Sequence, residues 1–250
     1  MTRRFCLMTV GRTGSTWLIN ALGALPGVVV PASNVPSPDN ELIHHNTQPA
    51  YEKLAGRKFA NPRELMEFFF SLNRHAAFAG FKSMPRRHPD YSGFVRHSGL
   101  QFITLDRRDI FATAASFMAA IKHRTWRRHG GVPAQKLVYE PSDERQLQVN
   151  LGYMAKGRLA LLEPPNAIAL YYEDLCRPGF SSAPLNEFFQ QTVQLQGAKP
   201  PTRTSDYVEN DEEFRAAVEK AWNWMRSQMS DEQRTRLDSL SIGDRSVTGD

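Results

Sequence analysis

Hydrophobic positions along the chain fall into two kinds of run that alternate. Short, nearly unbroken runs occur at Phe5–Val10 (FCLMTV), Ala76–Phe81 (AAFAGF), Leu100–Leu105 (LQFITL) and Ala167–Tyr172 (AIALYY). Runs of that length, bounded by glycine, proline or charge, predict buried strands. Val28–Val30 is a further short apolar run. Between these runs the apolar residues recur at helical spacing. Leu18, Ile19, Leu22 and Leu25 form one stripe, which Pro26-Gly27 ends. Leu65, Met66, Phe68, Phe69 and Leu72 form another, opened by a capping Asn61, a proline at Pro62 and an acid at Glu64. Ile110, Phe111, Ala114, Phe117, Met118 and Ile121 form a third. Helices are also predicted from about Asp143 to Glu163, from Asp211 to Met229 with Phe214, Val218, Trp222 and Met225 inward, and from the cap Ser230-Asp231-Glu232-Gln233. Pro31–Asn40 is turn chemistry, residues 130–141 and 196–210 read as loops, and the tail follows Ile242.

Strands alternating with helices predict an α/β fold with a parallel sheet covered on both faces. Ligands of such sheets bind beyond the carboxyl ends of the strands. The polar sets Gly11–Thr16, Lys82, Asp106–Asp109 and Glu173–Asp174 all fall at such ends, so they are expected to converge on one crevice.

Length and charge narrow the picture a little. A chain of 250 residues suits one core, so a single domain over residues 1–250 is expected. The net charge of +5 favours anionic ligands. Only Cys6 and Cys176 are present, which implies no disulfide framework and fits a reducing compartment. Cys6 reads as a small buried residue. Arg3-Arg4 before an apolar run resembles the start of a signal peptide, but that run is short and flows into a glycine loop. No run is long enough to span a membrane, and the expected location is the cytoplasm.

The first strand and first helix are joined by Gly11-Arg12-Thr13-Gly14-Ser15-Thr16. A tight glycine loop opening a helix points N–H groups and the positive end of the helix dipole at one spot, which suits an anion. Ser15 and Thr16 add hydroxyls, and Arg12 adds a planar fork of donors. The spacing is not GxxxxGK[ST], because the cation precedes the second glycine. A phosphate or sulfate cradle is the functional reading; an ordinary strand–helix turn with an exposed arginine is the plain one.

The order R-T-G-S-T-W resembles the 5'-phosphosulfate loop of sulfotransferases that use 3'-phosphoadenosine-5'-phosphosulfate (PAPS). The arginine makes it most similar to the bacterial Nod-factor and trehalose sulfotransferase branch. That resemblance implies a three-layer, P-loop-like sulfotransferase fold, with Arg12, Thr13, Gly14, Ser15, Thr16 and Trp17 holding the cofactor and Arg12 stabilising the leaving phosphate. Leu105, Arg107, Arg108, Asp109, Ala114 and Ser116 fit the branch's L-x-R-R-D-x-x-x-x-A-x-S pattern. It implies that Ser116 and either Arg107 or Arg108 bind the 3'-phosphate. Asp106 and Asp109 pairing with these arginines is the structural alternative. Gly80-Phe81-Lys82, Tyr172-Glu173-Asp174-Leu175 and Tyr207-Val208-Glu209-Asn210 resemble further segments of the family, with Arg203 a further phosphate contact.

Sulfuryl transfer also needs a base for the acceptor hydroxyl. The family places a carboxylate in a G/P-x-x-E-[LF]-[FI] context, which Asn40-Glu41-Leu42-Ile43 matches best, although the preceding PSPDN lacks the usual glycine. Glu41 is therefore the expected base, with His44 and His45 as rivals. The implied product is adenosine 3',5'-bisphosphate (PAP), and the implied acceptor is a carbohydrate or other small molecule. No metal and no specific nucleic acid are expected, and the oligomeric state stays open. Two other classes compete. A small-molecule kinase would lack its loop lysine and an acidic strand end for magnesium. A non-enzymatic anion- or nucleic-acid-binding module would use the basic segment Lys122, His123, Arg124, Arg127, Arg128 and His129, with Trp126 stacking.

Overall fold

Strand β1 (Arg3–Thr9) has a neighbour on each edge, and the first half of the chain is arranged around it. The computed structural model describes residues 1–37, 39–85, 94, 99–124, 136–193 and 206–241. Their contacts separate two compact units, Met1–Asp106 with Glu163–Lys199 and Arg107–Leu162 with Pro200–Asp250.

The first unit holds β1, α1 (Ser15–Gly23), β2 (Val28–Val29), α2 (Gln48–Ala55), α3 (Pro62–Leu72), β3 (Phe78–Ser83) and β4 (Leu100–Asp106). After the excursion into the second unit, the chain returns as β5 (Ile168–Tyr171), the single turn α6 (Tyr172–Leu175) and α7 (Ala183–Phe189). Three-residue 3₁₀ turns occur at Pro31–Ser33 here and at Pro141–Asp143 in the second unit. The strands form one five-stranded sheet in the order β2-β3-β1-β4-β5, with every neighbouring pair parallel. The fold is thus α/β, an all-parallel sheet flanked by helices.

Burial explains the unbroken apolar runs. β1 is buried continuously from Phe5 to Thr9 because helices cover both faces of the sheet. On one face Phe5 and Leu7 pack with Phe78, Ile103 and Leu105, beneath Leu18, Ile19 and Leu22 of α1 and Leu185 and Phe189 of α7. The Phe5 and Phe189 rings meet edge to face at 5.4 Å. On the other face Phe81 meets Phe69 and Phe70 of α3 at 6.2 and 6.0 Å. Cys6 is wholly buried, and that burial pushes its thiol pKa up, so it is an inert core residue.

The second unit holds α4 (Ile110–Lys122), α5 (Glu144–Leu161), α8 (Asp211–Ser227) and α9 (Asp231–Ser241). Ala155 of α5, Met225 of α8 and Leu237 and Leu240 of α9 form a core, with Trp222 half-buried against it. The Asn210 side chain clasps the Tyr139 backbone from both sides, accepting from its N–H and donating to its carbonyl, each at 2.9 Å. No helix among the described residues is long and apolar enough to cross a membrane.

Several elements lie outside the sequence expectation. α2 buries a single residue, Tyr51, so it has no apolar period to read. β2, α6 and α7 are two, four and seven residues long, too short for any periodicity. Tyr172 opens α6 instead of closing β5. In α3 the buried face is Leu65, Met66, Phe69 and Phe70, while Leu72 is exposed, because Phe81 on β3 draws Phe70 inward. The Asn61 side chain does cap α3, accepting from Glu64 N–H at 3.0 Å.

Gly80 sits on β3 directly opposite Phe5 of β1, and a Cβ there would come within 2.4 Å of the Phe5 ring. Gly80→Ala should therefore overpack the sheet and cost about 1–3 kcal/mol in urea unfolding, and Phe5→Leu in the same background should recover part of it.

Candidate anion and proton-transfer site

The loop from β1 to α1 is built by its own side chains. The hydroxyls of Thr9 and Thr13 bond each other and the Val10 carbonyl, and both threonines are buried. Two residues then take left-handed backbone, Arg12 at φ 69° and Gly14 at φ 77°. At Gly14 this conformation is cheap only without a Cβ. Space also demands glycine there, since a Cβ would approach the Tyr172 ring to 2.8 Å. Tyr172, the first residue of α6, thus lies directly over the loop.

α1 begins immediately after Gly14. Its N-cap position, Gly14, has no side chain to cap it, and its first turn holds no acidic residue. The first N–H groups of a helix have no intrahelical partner, so this end presents donors and positive dipole. Ser15 is buried, Arg12 and Thr16 are half-buried, and Trp17 packs against the core beneath the sheet's first face.

Thr16 leads to the next residue. Its Oγ1 accepts from Nζ of Lys82 at 3.0 Å. The same Nζ lies 3.2 Å from Oε1 of Glu41. Glu41 and Lys82 are 3 % and 2 % exposed, so this is an ion pair almost wholly removed from water. The backbone brings the two residues side by side: Glu41 forms an isolated parallel bridge with Lys82, and Lys82 N–H donates to the Asn40 carbonyl at 2.8 Å. The loop hydroxyl, the ammonium and the carboxylate form one continuous polar chain. It can hold negative charge at one end and accept a proton at the other.

Glu41 and the loop residue Thr16, singled out on separate grounds in the sequence, are therefore joined through Lys82. Lys82 was legible as a strand-end cation expected in the same crevice as the loop; its pairing with Glu41 is made by the sheet. His45 is exposed, and His44 stacks its ring on it at 4.0 Å. Nδ1 of His44 accepts from Asn46 N–H at 3.2 Å.

Arg107, Arg108 and Ser116 belong to the second unit. Arg107 and Ser116 are buried there and Arg108 is half-buried. Asp109 caps α4, accepting from Ala112 N–H at 2.8 Å, while Thr113 donates its hydroxyl to the Asp109 carbonyl at 2.7 Å. Glu173 and Asp174 are half-buried, with Asp174 3.4 Å from Arg177. Trp126, Arg127, Arg128, His129 and Arg203 lie outside the described residues. Among the described residues no cluster of three or more His, Cys, Asp or Glu could hold a metal ion.

No protein-family model matches this chain, and no curated protein matches it.

Removing one partner of a buried ion pair strands the other charge. Lys82→Met should therefore cost about 3–5 kcal/mol in urea unfolding. Adding Glu41→Gln should return most of that loss, whereas two independent surface changes would simply sum.

Proposed function

We propose that the chain is a PAPS-dependent sulfotransferase of P-loop-like, three-layer fold. It would transfer a sulfuryl group to a hydroxyl of a carbohydrate or other small-molecule acceptor. The observation that carries this reading is the chain from Thr16 through Lys82 to Glu41, which links an uncapped, glycine-opened helix to a buried carboxylate.

The residues fit the donor's phosphate end. Gly14 lets the loop turn tightly beneath the Tyr172 ring, and the helix start behind it has a glycine at its cap position and no acid in its first turn to compete with an anion. The donor supplies a sulfuryl group on a phosphate leaving group. The N–H groups at Gly14–Thr16 and the Arg12 guanidinium would stabilise the negative charge developing on that phosphate. Glu41 would accept the proton of the acceptor hydroxyl, contributing on the order of 10²–10⁴-fold in rate. Lys82 would hold the Glu41 carboxylate against the loop and keep the buried pair electrically balanced.

Calorimetry should show wild-type protein binding adenosine 3',5'-bisphosphate, with Arg12→Ala weakening it at least about tenfold through a lost charge-assisted contact. Glu41→Gln should keep bisphosphate affinity within about twofold while losing on the order of 10²-fold or more in transfer rate. Stabilisation by magnesium–ATP without any by the bisphosphate would overturn the reading in favour of a kinase.

A further inference from the structure

The loop after β2 ends at Asn40, and this residue is built into the site more tightly than any glycine-like turn position requires. It is 2 % exposed and has φ 52°. Its Oδ1 accepts from Ala32 N–H at 2.7 Å, and its Nδ2 donates to Oδ1 of Asn20 at 2.7 Å. Its N–H donates to the Ser37 carbonyl at 3.2 Å, and its carbonyl accepts from Lys82 N–H at 2.8 Å. Ser37 is itself bonded to Thr47 at 3.0 Å, just ahead of α2.

Asn20 is on α1, one turn after Thr16, so both side chains project from the same side of that helix. The polar contacts therefore close on themselves. Thr16 bonds Lys82, Lys82 pairs with Glu41, Glu41 follows Asn40 in the chain, and Asn40 bonds Asn20 back on α1. A closed circuit fixes position better than an open chain, because no member can swing without breaking a second bond. The helix that opens the anion loop is thus tied to both ends of the segment bearing the carboxylate.

We propose that Asn40, latched to Asn20, is the positioning residue that sets Glu41 relative to the anion loop. It touches no substrate and acts through Glu41. The inference rests on the reading of Glu41 as the base.

Asn40→Gly keeps a left-handed backbone without strain and removes the latch together with the bond from Ala32 N–H, whereas changes at Asn20 touch the latch alone. Asn20→Ala removes the acceptor at an exposed helical position, where alanine favours the helix. Both should lower kcat for sulfuryl transfer by about 10- to 100-fold, the penalty of an ångström-scale misplacement. Bisphosphate affinity should stay within about twofold, since the phosphate loop is untouched. Asn20→Asp offers the same acceptor and should restore kcat. The double variant Asn40→Gly/Glu41→Gln should be no slower than Glu41→Gln alone, because the latch works only through that carboxylate. Crystal structures provide an arm independent of activity. The Glu41–Lys82 pair should open beyond hydrogen-bond reach in Asn40→Gly and remain closed in Asn20→Asp. Unchanged kcat in Asn40→Gly, or additive losses in the double variant, would overturn the inference. If wild-type protein transfers no sulfuryl group, the proposed reaction fails instead, and a pair still closed in crystals of Asn40→Gly would then overturn the latch by itself.

Discussion

Glu41 and Lys82 are each almost fully removed from water, and either charge alone would be costly in that place. Together they hold one another 3.2 Å apart, and the surplus donor capacity of the ammonium reaches the hydroxyl of Thr16. A buried ion pair is poor evidence of stability, because desolvation consumes much of the attraction. This pair sits at the carboxyl end of a parallel sheet, beside a glycine-opened helix, where ligands of such sheets bind. Loop, cation and carboxylate all lie in the first unit, so the arrangement is complete within one compact body.

The sheet makes that meeting possible. β1 ends in the glycine loop and β3 carries Lys82 near its carboxyl end; the two are hydrogen-bonded neighbours running the same way. Parallel strands deliver their carboxyl ends to one side, and residues from distant parts of the sequence arrive there together. Packing keeps the ends in register. Gly80 leaves room for the Phe5 ring where its own Cβ would stand on the face of the sheet, and Tyr172 presses on Gly14 from the start of α6. Both glycines serve close approach, one inside the sheet and one at the loop.

Much of this was legible in the sequence wherever the signal was local. The apolar runs gave four strands because β1, β3, β4 and β5 are flanked by unmistakable breaks, and Asn61 announced the start of α3. The glycine loop was readable because strand, turn and helix follow within a few residues. β2, α2, α6 and α7 were not, because each is too short or buries too little to leave a period. The carboxylate could be named from its context but not its partner: Lys82 lies far along the chain, and only strand pairing brings them together. Asn40 carried no warning at all. An asparagine in a proline-rich turn is commonplace, and its left-handed backbone and double side-chain bond appear only in three dimensions. Asp109 caps α4, a role that its place just before an apolar helical stripe already suited.

The link from this geometry to sulfuryl transfer turns on where a phosphate settles. A co-crystal structure with adenosine 3',5'-bisphosphate tests it most directly. The expected result is a 5'-phosphate accepting hydrogen bonds from the N–H groups of Gly14–Thr16, with the Glu41 carboxylate facing the side from which an acceptor hydroxyl would approach. An empty glycine loop with the nucleotide bound elsewhere, or no bound nucleotide at saturating concentration, would contradict it.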